Sequence, residues 1–500
     1  MATTFAPQPD FSDKVRGFLG RETKLLIDGK WVASTGTKTV ETHDPSTGKS
    51  IAHLVDASDE DVNRAVAAAR RAFDDGRWSG MPGAQRERIM QKFADLIEAH
   101  ATELAELESI DNGKPHFFAS HVDIPAAIAQ FRYQAGWATK LHGNHQAPSS
   151  APEGAFHAYV RREPLGVAAL IVPWNFPLLM AALKLAPALA AGCTMILKPA
   201  EQTSLSALRL GDLFQEAGIP DGVVNILTGL GETVGDALVR HPDVDKVAFT
   251  GSTNVGKIIT RTAADTLKRV TLELGGKSPV IMMPDVDMEQ ATGGAANAIF
   301  FNAGQVCVAG SRLYAHKSIF DKLVEGVADA ASKLKLGPSL HAESQMGPLV
   351  SSEQRDRVLS YIESARTQGA SIVTGGEGHG DGGYFVQPTV IANVDRDMKV
   401  MREEIFGPVV CATRFDDLDE VARHANDSEF GLAASVWTKD VSTMHKLAAK
   451  IKAGTIWGNC HSMIDASLPF GGYKQSGTGR EQGLEGVLNY TETKTVIIAL

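Results

Sequence analysis

Gly166-Val-Ala-Ala-Leu-Ile-Val172 is a short run without one polar side chain, and Pro173-Trp-Asn-Phe-Pro177 closes it with two prolines. An apolar run of this length, ended by turn residues, reads as a strand buried on both faces. Leu178 to Ala191 then carries helical spacing, and the alternation repeats. Thr194–Leu197 precedes a helix near Leu205–Glu216, Val223–Leu227 one near Glu232–Arg240, and Val247–Thr250 one near Val255–Ala263. Val270–Leu274 ends the series. This alternation predicts an α/β fold built on a doubly wound, mostly parallel sheet. Such sheets bind ligands beyond the carboxyl ends of their strands. Here those ends carry Trp174-Asn175, Lys198, Gly251-Ser252 and Glu273.

Upstream, residues 58–140 read as helical. Ser58 with Asp61 has the pattern of a capping box, and Val62, Ala65, Val66 and Ala69 recur at helical spacing. Residues 143–157 lose that periodicity and read as a connection or an edge hairpin. Downstream, a second alternation starts at Pro279–Met283 and runs to roughly residue 480, interrupted by the glycine-rich surface loop Gly375–Gly383. The chain ends in Val496-Ile-Ile-Ala-Leu500. An apolar strand at a terminus exposes an edge, so pairing with another subunit is expected.

Five hundred residues exceed one ordinary core and suggest roughly three units. Hydrophobic residues at 43% and charged residues at 22% match a soluble globular protein. A net charge of −10, with no Lys/Arg-rich run, argues against nucleic acid or anionic membrane as a partner. No apolar run approaches the ~20 residues of a membrane span. Met1–Asp10 has neither the basic nor the apolar region of a secretory signal. Cys193, Cys307, Cys411 and Cys460 are scattered without paired spacing, which suits a reducing, cytoplasmic setting and gives no metal site.

Cys307 sits in Asn302-Ala-Gly-Gln-Val-Cys-Val-Ala-Gly-Ser-Arg312, a run of small residues, and Glu273 sits in Leu272-Glu-Leu-Gly-Gly-Lys-Ser-Pro279. A thiol and a water-activating carboxylate are the two reagents that make and then hydrolyse a thioester. A buried, inert cysteine is the alternative, and spacing alone leaves both open. Asn175 reads either as a cap on the following helix or as an amide donor to an oxyanion. Gly251-Ser-Thr-Asn-Val-Gly-Lys257 nearly matches a phosphate loop, but Ile258 replaces the required Ser or Thr, which excludes nucleotide hydrolysis. Ser252 and the glycine can still cradle a phosphate at a helix start. Gly229-Leu-Gly-Glu-Thr-Val-Gly235 is one residue too long for the dinucleotide fingerprint. Lys198-Pro-Ala-Glu201 offers a cation and a carboxylate suited to ribose hydroxyls, or an ordinary surface ion pair.

Together these motifs, with Phe385-Val-Gln-Pro-Thr389, Glu403-Glu-Ile-Phe-Gly-Pro-Val409 and Leu468-Pro-Phe-Gly-Gly-Tyr-Lys-Gln-Ser-Gly477, resemble the aldehyde dehydrogenase superfamily from about Leu26 to Leu500. The resemblance implies two doubly wound domains and a small β oligomerisation element. Residues 1–140 with 163–273 would form the dinucleotide-binding domain, 274–481 the catalytic domain, and 141–162 with 482–500 the oligomerisation element. It implies Cys307 as nucleophile, Glu273 as general base, and Asn175 with the Cys307 N–H as oxyanion hole. Lys184 and Glu481 match proton-relay positions. Lys198 and Glu201 would hold the adenine ribose, Gly251 and Ser252 the pyrophosphate, and Glu404 the nicotinamide ribose. Trp174 and Phe406 would complete the cofactor site, with NAD preferred because Glu201 would repel a 2′-phosphate. The family pattern commonly has Glu where this chain has Asn254.

Phe176, Leu183, Ile464 and Phe470 match positions lining the aldehyde tunnel. Asn459-Cys-His-Ser-Met-Ile-Asp-Ala-Ser-Leu-Pro-Phe470 resembles the phenylacetaldehyde dehydrogenase branch, which implies arylacetaldehydes or other aromatic aldehydes, with aliphatic aldehydes or semialdehydes second. His461 and Asp465 are either substrate contacts or loop hydrogen bonds. Glu273 favours hydrolysis over transfer to coenzyme A. A dimer or tetramer joined through the C-terminal strand is implied, and a non-redox thiol esterase or an inactive structural relative are the rival readings.

Overall fold

The computed structural model describes residues 7–500 apart from Asp381. Two large sheets form its frame. In the first, five parallel strands stand in the order Val224–Ile226, Thr194–Lys198, Val167–Ile171, Lys246–Thr250, Arg269–Glu273. The chain therefore winds outward one way from Val167–Ile171 and then the other, leaving a switch point between that strand and Lys246–Thr250. Ligands of doubly wound sheets settle in the crevice at such a point. The burial of Val167–Ile171 and Thr194–Lys198 on both faces explains their unbroken apolar sequence.

Antiparallel strands extend both edges. Leu25–Ile27 and Lys30–Val32 add to Val224–Ile226, and Gly477–Thr478 pairs with Leu272 and Glu273. The last of these comes from the far end of the chain and sets residues near 471–481 beside Glu273.

The second sheet has the order Ser371–Thr374, Thr389–Ala392, Val409–Phe415, Arg312–His316, Pro279–Met282, Ala433–Trp437, Thr455–Gly458, parallel except at its first strand. Only Leu274–Ser278 separates the last parallel strand of the first sheet from Pro279–Met282.

Helix Asp59–Asp74 opens with the expected capping box: Asp61 N–H donates to Ser58 Oγ at 3.2 Å, and Ser58 N–H donates to the Asp61 carboxylate at 3.0 Å. Gly83–Ala99, Ile124–Ala135, Pro177–Ala191 and Leu205–Ala217 cover the first sheet, where Phe93 meets Phe131 and Phe214 at 4.8 Å. The helix expected from Glu232 begins as a wide π turn, Gly231–Gly235, before Asp236–Arg240.

The C-terminal strand has one partner within its own chain. Thr491–Ala499 pairs antiparallel along its nine residues with Phe156–Pro164 of its own chain, which also takes the short edge Asn144–His145. The bond from Leu165 N–H to Tyr490 O, 3.0 Å, brings the two segments together. An exposed edge demands a partner but does not say whose. The opposite edge of Thr491–Ala499 carries no strand among the described residues, and Ile497 is 60% exposed.

Candidate active site

Cys307 and Glu273 line one cleft of ≈ 730 Å³, together with Trp174, Asn175, Ser252 and Glu404. Trp174, Ser252 and Glu273 arrive from the carboxyl ends of the first sheet. Cys307 and Glu404 arrive from the loops before Arg312–His316 and Val409–Phe415, the amino ends of the second sheet. The site is thus a seam between two sheets.

Close backbone approach builds it. A Cβ on Gly275 would fall 2.3 Å from a Glu404 carboxylate oxygen, and one on Gly276 would fall 2.3 Å from the Cys307 carbonyl. The glycine pair beside Glu273 is therefore what lets the thiol and both carboxylates share a cleft. Before Cys307 the chain makes a left-handed turn through Asn302 (φ 50°), Ala303 (φ 52°) and Gly304 (φ 70°). The first two cost on the order of 1–3 kcal/mol each. Gly304 has no substitute: its Cβ would lie 2.0 Å from Gly407 O.

Burial pushes the Cys307 thiol up to about 12, with the carboxylates Glu404 and Glu273 adding to the shift. Burial thus favours the neutral thiol over the thiolate. Burial also holds the Glu273 carboxyl well above the ordinary carboxylate range, Glu481 raising it further and Lys184 opposing. Glu273 Oε2 is buried and makes no hydrogen bond with the protein. An unpartnered carboxyl oxygen with a raised pKa, in the same cleft as a thiol, is suited to take up a proton.

Lys184 and Glu481 form a buried ion pair. The family resemblance gave both as relay positions, and the pair lies close enough to Glu273 to act on its carboxyl. Helix Pro177–Ala191 starts with no side-chain cap, so Asn175 is not its cap. Glu108 serves that end instead, accepting from Leu178 N–H at 3.1 and 3.2 Å. Asn175 Nδ2 donates to Gln305 O at 2.9 Å, which leaves its second amide hydrogen for the cleft.

The cofactor candidates fall in two groups. Lys198 is buried and bonds Glu201 at 3.1 Å, so the surface-pair reading fails. Glu201 borders a second cleft, ≈ 1340 Å³, walled by Leu230, Gly231, Val255 and Ile258. Ile258, the residue that spoils the phosphate-loop pattern, is 52% exposed there. Ser252 caps helix Thr253–Ala263, accepting from Val255 N–H at 3.3 Å, and the unpaired N–H groups of that turn suit a phosphate. On the other side, Phe406 is held at φ 58° with its ring edge-on to Trp174 at 5.2 Å. An apolar slot, a helix start and a carboxylate in this order fit a dinucleotide.

The model of the aldehyde dehydrogenase family matches residues 31–496. The chain belongs to that family. Among its relatives, this aldehyde dehydrogenase is 48% identical to phenylacetaldehyde dehydrogenase of Pseudomonas fluorescens, over 95% of this chain and 96% of the relative. It is also 48% identical to the mitochondrial benzaldehyde dehydrogenase of Antirrhinum majus, over 95% and 89%. The NAD+ complex structure of aldehyde dehydrogenase from Bacillus cereus superposes with a TM-score of 0.97 at 48% identity, covering 99% of this chain and 100% of that one.

The tunnel candidates are less tightly gathered. None of Phe176, Leu183, Ile464 and Phe470 lines the Cys307 cleft of the dehydrogenase, whose apolar wall includes Met180. Phe176 and Leu183 are buried, Phe470 half-buried, and Ile464 is 43% exposed. Phe176 instead begins a file of rings: Phe301 at 6.1 Å, then Phe118 at 5.2 Å from Phe301, then exposed Phe117 at 5.5 Å from Phe118. The sequence reading missed Met180, Phe301, Phe117, Gln354 and Arg357, which no motif marks. Asp465 is a loop residue, accepting from Ser467 N–H at 2.8 Å. His461 bridges Val308 O at 2.8 Å and Ser435 Oγ at 3.0 Å, tying the 459–470 loop to the residue after Cys307.

Glu404 yields a stability prediction. Burial lifts its carboxyl from 4.5 to about 7, against the bond from Gly276 N–H at 2.9 Å. The folded state then holds more protons than the unfolded one between those values, so stability falls as pH rises through that window. Glu404→Gln is expected to raise the melting temperature by a few degrees at pH 8 and to change nothing at pH 4. Equal melting curves at pH 8 would show that the carboxylate is not strained by its site.

Proposed function

We propose that this aldehyde dehydrogenase uses NAD to oxidise an aromatic aldehyde or arylacetaldehyde to its carboxylic acid, through a thioester on Cys307. The observation that carries the reading is one cleft lined by Cys307, Glu273 and Asn175, with Ser252 and Glu404 at its wall. When bound, NAD accepts the hydride. The residues of the chain do the rest.

Cys307 Sγ attacks the aldehyde carbon and gives its proton to ionised Glu273. Asn175 Nδ2 and the Cys307 N–H hold the oxyanion until hydride departure leaves the thioester. Glu273 passes its proton toward Glu481 and Lys184, then takes one from water as that water adds to the thioester. The acid leaves and the sulfur is restored. Lys198 and Glu201 grip the adenine ribose, Gly251 and Ser252 receive the pyrophosphate, Glu404 holds the nicotinamide ribose, and Trp174 and Phe406 wall the ring. The slot of Leu230, Val255 and Ile258 suits a flat base.

Glu201 favours NAD by repelling a 2′-phosphate. Glu201→Gln is expected to lower the ratio of kcat/KM for NAD over NADP at least tenfold, about 1.4 kcal/mol. A constant ratio would remove Glu201 from the ribose.

The file from Phe176 to Phe117 supports an aromatic substrate, as do the names of two relatives, and Leu183, Ile464 and Phe470 are proposed as further lining. The test is NADH absorbance over aromatic, aliphatic and carboxylated aldehydes. Phenylacetaldehyde should give the highest kcat/KM, by a modest margin, because one methylene in an apolar pocket is worth only ~1–3 kcal/mol. A semialdehyde outrunning it tenfold would overturn the substrate assignment but not the class. The four scattered cysteines, all free, fit a cytoplasmic setting. We also assign residues 1–140 with 163–273 to dinucleotide binding and 274–481 to catalysis. Residues 141–162 with 482–500 are assigned to assembly, as a dimer or tetramer.

A further inference from the structure

The turn that carries Asn175 is held from behind by charged and amide side chains that the mechanism above does not use. Asn112 Nδ2 donates to Trp174 O at 2.7 Å. The carbonyl of Asn175 itself accepts from Lys114 Nζ at 3.2 Å and from Asn302 Nδ2 at 3.1 Å. Lys114 is ion-paired with Asp123, both side chains are wholly buried, and its ammonium also lies 4.0 Å from the centre of the Phe176 ring.

We propose that Lys114, paired with Asp123, is a positioning residue that fixes the oxyanion amide of Asn175 against the Cys307 loop. The inference rests on the role given to Asn175 above.

An ammonium carries three protons, which must all find acceptors when water is excluded. Here they meet the Asp123 carboxylate, the Asn175 carbonyl and the π face of Phe176. Two of these three belong to the turn Trp174–Phe176. A buried ion pair gives little net stability, since desolvating two charges offsets their attraction, and an apolar pair of similar volume often does as well. What an apolar pair cannot do is donate to the Asn175 carbonyl.

The second donor to that carbonyl explains why its position matters. Asn302 opens the left-handed turn that leads to Cys307, and Gln305, two residues before the thiol, accepts from the Asn175 side chain at 2.9 Å. Asn175 therefore touches the nucleophile's loop through both its carbonyl and its amide. Lys114 supplies the fixed point on the far side, rooted in the first sheet's helical layer. Without it the turn keeps its contacts to the loop and the Asn112 bond to Trp174 O, but loses the charged donor to the Asn175 carbonyl. A misplacement near 1 Å at a reacting centre costs about a hundredfold.

The experiment is a cycle of substitutions in the full-length enzyme, read as kcat, KM for the aldehyde and KM for NAD. Lys114→Met is made in the native and the Asn175→Ala backgrounds. Lys114→Met/Asp123→Leu is made in both as well, because it removes the buried Asp123 carboxylate that the single variant would leave without its ammonium, and keeps the test open if the single variant fails to fold. With Asn175 present, kcat should fall by about tenfold to a hundredfold with KM for NAD unchanged. With Asn175 already alanine, the further loss should be under about threefold, since coupled residues are non-additive. Equal losses in both backgrounds would make Lys114 a merely structural residue and overturn the proposal. So would a native rate in the Lys114 variants. A native rate in Asn175→Ala alone would overturn the oxyanion reading and this proposal with it. The two failures are therefore distinguishable.

Discussion

Cys307→Ala is expected to lower NADH formation from any aldehyde by on the order of 10⁴-fold or more, the scale on which covalent enzymes lose turnover when their nucleophile is removed. Without sulfur no thiohemiacetal forms, and the hydride has no covalently held carbon to leave. The other three cysteines give the comparison. Cys193 and Cys411 are buried, with thiols pushed up to about 11 by burial, and neither lines the cleft. Cys411→Ser should leave kcat within about threefold, allowing for a modest packing effect. Absorbance at the NADH band, with protein folding checked by melting temperature, reads both. Substantial turnover in Cys307→Ala would end the covalent mechanism.

Glu273→Gln should separate the two halves of the reaction. The thiol, pushed up to about 12, still reacts slowly as pH rises, but the thioester then has no base to bring water onto it. Steady turnover should fall by about 10²–10⁴-fold, the usual worth of a positioned general base. A burst of NADH near one per chain should precede it, with the acyl group trapped on Cys307 and visible as an added mass. In the native enzyme, the raised carboxyl ionises more fully as pH rises, so kcat should climb with pH. That limb should vanish in the glutamine variant. Stability runs the other way: a raised folded-state carboxyl means the native chain binds the extra proton, so ionising Glu273 weakens the fold as pH rises toward its folded-state pKa. Addition of coenzyme A that restores turnover, with acyl-CoA as product, would instead assign the acyl group to another acceptor.

The first sheet was legible in the sequence because its strands are buried on both faces and their apolar runs are unbroken. Val167–Ile171, Thr194–Lys198 and Lys246–Thr250 fall within a residue of the expected bounds. The chemistry at strand ends was legible for a related reason: Asn175 and Ser252 follow such runs within three residues, and Glu273 ends one. What sequence could not show was the seam. Cys307 and Glu404 come from the amino ends of another sheet, and only the glycine contacts of Gly275 and Gly276 reveal why they must meet. Ile258 looked like a broken motif and is a wall of the cleft beside Glu201 instead, because its environment is set by Leu230 from a different loop. Lys114 carries no local signal at all, since a buried ammonium is recognisable only from what surrounds it. The terminal strand was identified as a strand, but its partner Phe156–Pro164 lies too far back in the chain for any local pattern to suggest it.

Gly477–Thr478, stitched to Leu272 and Glu273, has a bearing on how the molecule is made. Translation proceeds from the N-terminus, and early segments begin to fold before the rest is synthesised. A nascent chain that has reached Glu404 already owns its sulfur and its base, yet lacks the strand that flanks Glu273 and the carboxylate of Glu481. The surroundings of Glu273 thus stay incomplete until Gly477–Thr478 and Glu481 have been made.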